Sequence, residues 1–197
     1  EYLNDLLTAD YVHFTRDGGI IRFFNGDRQK LAVTIGIRRP GDFMDEQLIA
    51  DIMSIDCELN ILHNIKAIPT TKANMLLIQQ RKMAFFTTFS QNVYNQYTTA
   101  LEWMDQSDAD GQTINEYAMT VFIFGDSKEE LKFGQEEVEK LCRLHNVTPV
   151  RDGWAAQAAF FAQLPTYDIY PRTFLYLSRV VACAICVDHT AEGRQKS

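Results

Sequence analysis

Turn sequences divide the first forty residues into short β-rich segments. Apolar runs at residues 11–14 and 20–24 flank Asp17-Gly18-Gly19, and a second turn sequence, Asn25-Gly26, follows them. Glycine tolerates the positive φ of a tight hairpin turn, so this pattern predicts an N-terminal β-hairpin. The next run, LAVTIGI at residues 31–37, is typical of a strand and should end at Arg38-Arg39-Pro40-Gly41.

Helical and strand patterns alternate from Asp42 onward. The pattern predicts, in order, a helix capped by Asp42, a strand over residues 57–68, a helical insert over residues 71–105, a strand over residues 118–124, a helix from Ser127, a strand over residues 147–151, a helix from Trp154 to Leu164 and one or two strands over residues 174–187. Ser127 and Glu130 form a capping box at the start of their helix. Its apolar stripe consists of Leu131, Val138, Leu141, Cys142 and Leu144. Gly134 lies on or near that stripe and would allow a close approach.

This order of elements predicts an α+β fold. Because crossovers are right-handed, the expected closure is a ferredoxin-like split βαβ sheet with a long helical insertion between its halves and an N-terminal β-hairpin. We expect one domain over residues 1–197. It would comprise a lead-in and hairpin (1–30), a βαβ core with the insert at 71–105 (31–153), and an aromatic helix followed by strands (154–197).

The composition limits the classes of function. The 197-residue chain is 46% hydrophobic and carries a formal net charge of −7, with a pI of about 5.1. An acidic surface repels phosphate backbones and anionic lipids, so we expect no nucleic-acid partner. No apolar run approaches the ~18 to 20 residues of a membrane span. Four cysteines are too few for a disulfide scaffold, which favours a reducing compartment.

The sequence contains no recognisable nucleotide site. The phosphate-binding pattern G-x-x-x-x-G-K-[ST] does not occur. Residues 193–197, Gly-Arg-Gln-Lys-Ser, contain a glycine and a lysine but lack the spacing and the following helix of such a loop. We therefore predict no catalytic residue and no cofactor in this chain.

A C-x-x-C sequence offers a weak alternative function. Cys183 and Cys186, with His189 nearby, are candidates for a metal site or a thiol redox pair, which would make this a metal- or thiol-dependent protein. A structural zinc site needs four ligands, and the pair lies in an apolar run that reads as a strand. Burial of both cysteines as small core side chains is therefore favoured.

Two groups of residues are candidates for contact with a partner. Arg38 and Arg39 form a basic corner, which together with Lys72 and Arg81 leaves a ferredoxin-like nucleic-acid-binding module as another alternative. The helical insert is rich in aromatic residues, which either pack within a helical hairpin or form a binding surface. The candidates in the insert are Phe85, Phe86, Phe89, Tyr94, Tyr97 and Trp103.

The C-terminal third carries a family resemblance. WAAQAAFFAQLP at residues 154–165, followed by YDIYPRTFLYLSR, resembles the end of the N-terminal domain of the ATPases of type IV secretion and conjugation, the CagE–TrbE–VirB class. The strand-to-helix run at residues 119–131, the short strand at 147–151 and Gln79-Gln80-Arg81 occur in the same order as in that family, so the resemblance covers residues 31–197. In that family a Gly-Asn loop usually follows Leu-Pro, and here residues 166–172 stand in its place. In this respect the chain resembles a divergent, Dot/Icm-like branch of the family.

The resemblance implies a role in a larger machine. The parent would be a hexamer-forming ATPase at the cytoplasmic face of the bacterial inner membrane, and this chain would be its docking domain, binding inner-membrane subunits of the secretion apparatus. ATP and magnesium would belong to a C-terminal domain outside this sequence. The chain starts at Glu1 without a signal peptide, and we expect it to be a fragment.

Overall fold

The protein has a mixed α/β fold in which a largely antiparallel sheet is accompanied by a few helices. The computed structural model describes residues 9–15, 19–39, 46–69, 71–73, 75, 76, 78, 79, 82, 113–164, 167 and 169–185. Within these ranges the strands are β1 (Tyr11–Phe14), β2 (Ile21–Asn25), β3 (Arg28–Arg39), β4 (Glu58–Ile68), β5 (Ile114–Gly125), β6 (Thr148–Arg151) and β7 (Phe174–Leu177). The helices are α1 (Glu46–Met53), α2 (Lys128–Leu144), α3 (Ala156–Phe161) and α4 (Ser178–Ala184).

The sheet has the strand order β1-β2-β3-β5-β4, with β6 paired to β3 and β7 paired to β5. The first part of β3 forms a hairpin with β2, closed by the turn at Asn25-Gly26, where Gly26 has φ +58°. The last part of β3 pairs with β6, and residues 31–36 pair antiparallel with residues 120–125 of β5. The predicted hairpin and the predicted strands at 31–37, 57–68, 118–124 and 147–151 are confirmed, and β3 and β5 are longer than predicted.

The chain divides into two compact units, residues 1–64, 118–172 and 182–197 forming the first and residues 65–117 and 173–181 the second. In the first unit, α3 packs its buried Ala156, Ala159 and Phe160 against Ile21, Ala32 and Phe122 of the sheet. The second unit has a smaller cluster of Ile68, Ala73 and Ile114, against which Leu76, Leu175 and Leu177 pack. The described residues between 71 and 82 are helical, as predicted for the start of the insert.

Helix α2 begins with the predicted capping box. The Ser127 hydroxyl accepts a hydrogen bond from the backbone N–H of Glu130 at 3.2 Å, and the Glu130 carboxylate accepts one from Asp126 N at 2.8 Å. The buried side of the helix consists of Leu131, Gly134, Val138 and Cys142. The expectation for Leu144 is wrong, since its side chain is 72% exposed. At 3.6 residues per turn, Leu144 lies on the opposite side of the helix from Leu131.

The region after residue 173 differs from the sequence expectation. Only residues 174–177 form a strand, and residues 178–184 form helix α4. Strand β7 pairs with the first residues of β5, from Tyr117 back to Ile114, where β5 begins. At that point Ser178 closes the ladder, donating its backbone N–H to the Thr113 carbonyl at 2.9 Å. Beyond Leu177 the chain has no more of β5 to pair with, so the alanine-containing segment turns into a helix.

Candidate functional site

A pocket of about 250 Å³ lies in the first unit where the β1–β2 hairpin meets the turn between β6 and α3. Each of these two segments contributes half of the lining residues. They are Phe14, Thr15, Gly19 and Ile20 from the hairpin, and Gly153, Trp154, Ala156 and Gln157 from the turn and the start of α3. Thr15 is held in place because its hydroxyl and its backbone N–H both donate to the Ile20 carbonyl, at 2.9 and 3.0 Å.

The two walls of the pocket touch at Gly19. This glycine has φ +66°, and a Cβ placed on it would lie 1.8 Å from the backbone oxygen of Asp152. Both the backbone conformation and the lack of space require glycine here. The contact fixes the end of the hairpin against the end of β6.

Behind this contact lies a partly buried ion pair between Asp152 and Arg172. The carboxylate of Asp152 is fully buried and accepts a hydrogen bond from Arg172 Nη1. The pair packs over Gly36 of β3, where a Cβ would lie 2.8 Å from Arg172 Nη1 and 3.2 Å from Asp152 Oδ2. Glycine within a strand often marks such a close approach. The ion pair therefore has a place only because β3 carries no side chain at residue 36.

The electrostatics of this pair are dominated by burial. Removal from water raises the pKa of Asp152 above its ordinary value, although the Arg172 guanidinium and the Thr34 hydroxyl act in the opposite direction. Arg172 has φ +58°, in the left-handed region that residues other than glycine rarely adopt. Such a backbone conformation persists only where the surrounding structure holds the residue in place. The ion pair thus anchors the segment after α3 to β6.

Trp154 lies close in sequence to Asp152, and its side chain projects into solvent. Its side chain is 83% exposed, whereas the neighbouring aromatic residues are packed together. Phe14 of the pocket makes an edge-to-face contact with Phe160 at a centroid distance of 5.4 Å and lies 6.1 Å from Phe161. The pocket therefore combines one packed phenylalanine, Phe14, with one exposed indole, Trp154.

Most of the partner-binding candidates predicted from the sequence lie outside the described residues. This applies to Phe85, Phe86, Phe89, Tyr94, Tyr97 and Trp103. Arg38 is exposed at the end of β3, and Arg39 pairs with Thr148 of β6. Arg38 is not among the residues that line the pocket described above.

The cysteine candidates do not form a described site. Cys183 lies in helix α4 and not in a strand as expected, and Cys186 and His189 lie outside the described residues. Among the residues that the structure describes, no group of three or more histidine, cysteine, aspartate or glutamate side chains is placed to hold a metal ion. Of the other two cysteines, Cys142 is buried, and burial raises its pKa to about 11, which keeps the thiol protonated.

No sequence pattern predicted the pocket or the ion pair. The two glycines that permit them are visible in the sequence, as an isolated glycine in the LAVTIGI strand and as the end of the Asp-Gly-Gly turn. An isolated strand glycine signals a close approach but does not name the approaching residue. Asp152 and Arg172 had no motif that linked them to each other.

One family model of known proteins matches most of the chain. Residues 1–172 match the model of the CagE, TrbE, VirB family, described as a component of the type IV transporter system. The chain belongs to this family. The matched region includes the hairpin, the pocket and both members of the Asp152–Arg172 pair, so the geometry described above lies within the part shared with the family model. No curated protein matches the chain. In the described part of the chain, no helix has both the length and the apolar character to span a membrane.

Proposed function

We propose that this chain is a non-catalytic N-terminal assembly and docking domain of a type IV secretion ATPase, which energises substrate translocation across the bacterial envelope. The family match over residues 1–172 and the family-like order of motifs along residues 31–197 support this role. The chain also lacks the sequence pattern of a phosphate-binding loop. ATP and magnesium would then be bound by a C-terminal part of the parent protein.

The proposed setting is the cytoplasmic face of the bacterial inner membrane. The domain would lie peripherally, bind inner-membrane subunits of the secretion apparatus and help to assemble a hexameric ATPase. Its acidic surface, with a net charge of −7, disfavours a nucleic-acid partner. The expected partners are protein subunits. The surface of this domain that binds them should therefore contain an apolar or aromatic side chain from which contact excludes water.

We also infer a ferredoxin-like arrangement for the core. The strands β6-β3-β5-β4 lie side by side in that order, with α1 between β3 and β4 along the chain and α2 between β5 and β6. That order corresponds to a split βαβ unit, in which two halves interleave. The hairpin formed by β1 and β2 extends this core next to β3.

The pocket with Trp154 is the observation that carries the docking role. Tryptophan is among the residues that contribute most to protein–protein binding, and truncation of such an anchor commonly costs about 2 kcal/mol or more. Trp154 is exposed although it lines the same pocket as Phe14, which contacts Phe160 and Phe161. The ion pair between Asp152 and Arg172 holds the turn that carries it, so little ordering is needed on binding. These properties suit a preformed contact site for a subunit of the apparatus.

The first experiment replaces Trp154 in the full-length protein. We expect Trp154→Asp to reduce translocation of the system's own substrate strongly, because a carboxylate in a docking contact is desolvated without a partner. The ATPase rate and the far-ultraviolet circular dichroism should stay unchanged, since the side chain is exposed. Trp154→Phe should retain part of the translocation, because an aromatic ring remains.

Ile169→Asp is the matched control, since Ile169 is also a large exposed apolar residue, at 64%. It should leave translocation at the level of the unsubstituted protein. Normal translocation by the Trp154→Asp protein would refute the docking role of this pocket. Equal losses in the Trp154 and Ile169 variants would refute it as well, because the effect would then be one of general surface polarity.

A further inference from the structure

Helix α2 carries a second exposed apolar surface, separate from the Trp154 pocket. Phe133 and Leu144 are 53% and 72% exposed, although both are large apolar residues. Between them Glu137 and Lys140 form an ion pair, with 3.2 Å between Lys140 Nζ and a Glu137 oxygen. These four residues, Phe133, Glu137, Lys140 and Leu144, are called here the outer stripe of α2.

The outer stripe has the spacing of a helix–helix seam. Its members lie at intervals of four, three and four residues, which is the spacing of the inward-facing positions in a coiled coil. At 1.5 Å per residue, the two apolar ends are about 16 Å apart along the axis. The sheet-facing side of α2 is formed by other residues, among them Leu131 and Val138. The outer stripe therefore points away from the core of the domain.

The stripe is complementary to itself when a second copy is turned end for end. If two α2 helices run antiparallel around a two-fold axis midway between residues 138 and 139, Phe133 lies opposite Leu144 of the second copy. In the same register Glu137 lies opposite Lys140 of the second copy, and each relation occurs twice because a two-fold interface is isologous. Apolar residues meet apolar residues and opposite charges meet, with no like-charge contact in the stripe.

We propose that the outer stripe of α2 is a homodimer contact, in which α2 of one chain pairs antiparallel with α2 of a second copy. The positions of Glu137 and Lys140 favour a second copy over an unrelated helix. The two residues are placed symmetrically about the two-fold axis, so the acid of each copy faces the base of the other. A single helix pair is smaller than the ~1,600 Å² of a standard stable interface, so the contact is weak in the isolated chain. Assembly of a multi-subunit machine raises the local concentration and favours such a contact.

The contact shares no residue with the Trp154 pocket and does not depend on the docking role. Failure of the helix pairing would therefore show in self-association of the purified chain, whereas failure of the docking role would show in translocation. The two proposals can be refuted separately.

Charge exchange tests the register directly. In Glu137→Lys the two-fold contact brings lysines together, and in Lys140→Glu it brings glutamates together, so each variant alone should lose self-association in sedimentation velocity over a range of concentrations. A mixture of the two variants has only opposite charges across the contact. We expect the mixture, labelled with two different dyes, to form heterodimers at least as tight as the homodimer of the unsubstituted chain.

The chain offers a matched control on the same helix. Lys132 and Glu136 form another ion pair, 3.8 Å apart, outside the outer stripe. Lys132→Glu and Glu136→Lys change the net charge equally and should leave self-association within about twofold of the unsubstituted chain. Thermal unfolding of every variant shows whether the helix itself is intact.

Three outcomes would overturn the proposal. The first is an unsubstituted chain that stays monomeric at the highest attainable concentration. The second is a mixture of folded Glu137→Lys and Lys140→Glu chains that does not associate. The third is a loss in the Lys132 or Glu136 variants equal to that in the stripe variants, since the effect would then follow net charge and not position.

Discussion

At the scale of single residues, burial and the charge of Arg172 shift the pKa of Asp152 in opposite directions. Its carboxylate is fully buried and accepts a hydrogen bond from Arg172. Burial raises the pKa of Asp152 more than the arginine and the Thr34 hydroxyl lower it. The pair therefore positions the turn beside Trp154 and contributes less to stability than its geometry suggests.

The raised pKa gives a prediction on pH. The native state holds the Asp152 proton to a higher pH than the unfolded chain does, so the contribution of this group to the free energy of unfolding is fully present below the ordinary pKa of 3.8. It is lost as the pH rises from there through the native pKa. We expect the free energy of unfolding of the unsubstituted protein, minus that of Asp152→Asn, to fall over this window and to level off above it. Urea denaturation across the window measures it.

Asp27→Asn, at an exposed residue in the β2–β3 turn, is the control for general charge effects. A difference that increases with pH would contradict the account. It would mean that the attraction of Arg172 outweighs burial and that the native pKa of Asp152 is lowered.

Glycines show how far the sequence predicts such a site. The Asp-Gly-Gly and Asn-Gly turns were predicted because positive φ has a local signature. Gly26 has φ +58° as this requires. The close approach at Gly36 was not predicted, because Asp152 and Arg172 are far from it in the chain. The pairing of β6 with β3 brings Asp152 to Gly36, and the segment after α3 brings Arg172.

At the scale of elements, the packing of α2 on β5 depends on Gly134. A Cβ at this residue would lie 2.6 Å from Ile123 Cγ2 and 3.4 Å from Cys57 Sγ. Alanine is a better helix former than glycine by about 1 kcal/mol, which taken alone predicts stabilisation. Crowding against Ile123 opposes this, and overpacking of a core typically costs about 1–3 kcal/mol.

We therefore expect Gly134→Ala to lower the free energy of unfolding by about 1–2 kcal/mol. In an Ile123→Ala background the crowding atom is absent, so the same substitution should be neutral or stabilising. Urea denaturation of the four proteins of this double-mutant cycle gives the coupling energy. A Gly134→Ala protein that is more stable than the unsubstituted one, or a coupling energy near zero, would show that the two elements are not in close contact.

Elements with strong local signals were predicted well. The capping box set the start of α2, and alternation or continuous β-branched runs identified β3, β4 and β5. The end of β7 was not predictable, because the apolar sequence continues past Leu177 and the strand stops only where β5 has no further residues to pair with. Leu144 was misplaced because its apolar character was counted toward the core, whereas its angle on α2 turns it outward.

At the scale of the whole molecule, family membership and surface chemistry point to assembly. The chain matches a family of type IV transporter components over residues 1–172. The large apolar residues that it exposes in the first unit include Trp154 and, in the outer stripe of α2, Phe133 and Leu144. An exposed anchor of this kind marks a site of protein contact more often than a site of chemistry.

The central claim, that this domain docks onto a secretion apparatus, is tested most directly by competition. The 197-residue chain is overproduced in a bacterium that carries the matching intact secretion system, and translocation of its substrate is measured. A docking domain without its motor should occupy the partner sites, so we expect translocation to fall as the amount of chain rises. Trp154→Asp should abolish the inhibition and Ile169→Asp should not. Undiminished translocation at a large excess of folded chain, or equal inhibition by the Trp154→Asp chain, would contradict the account.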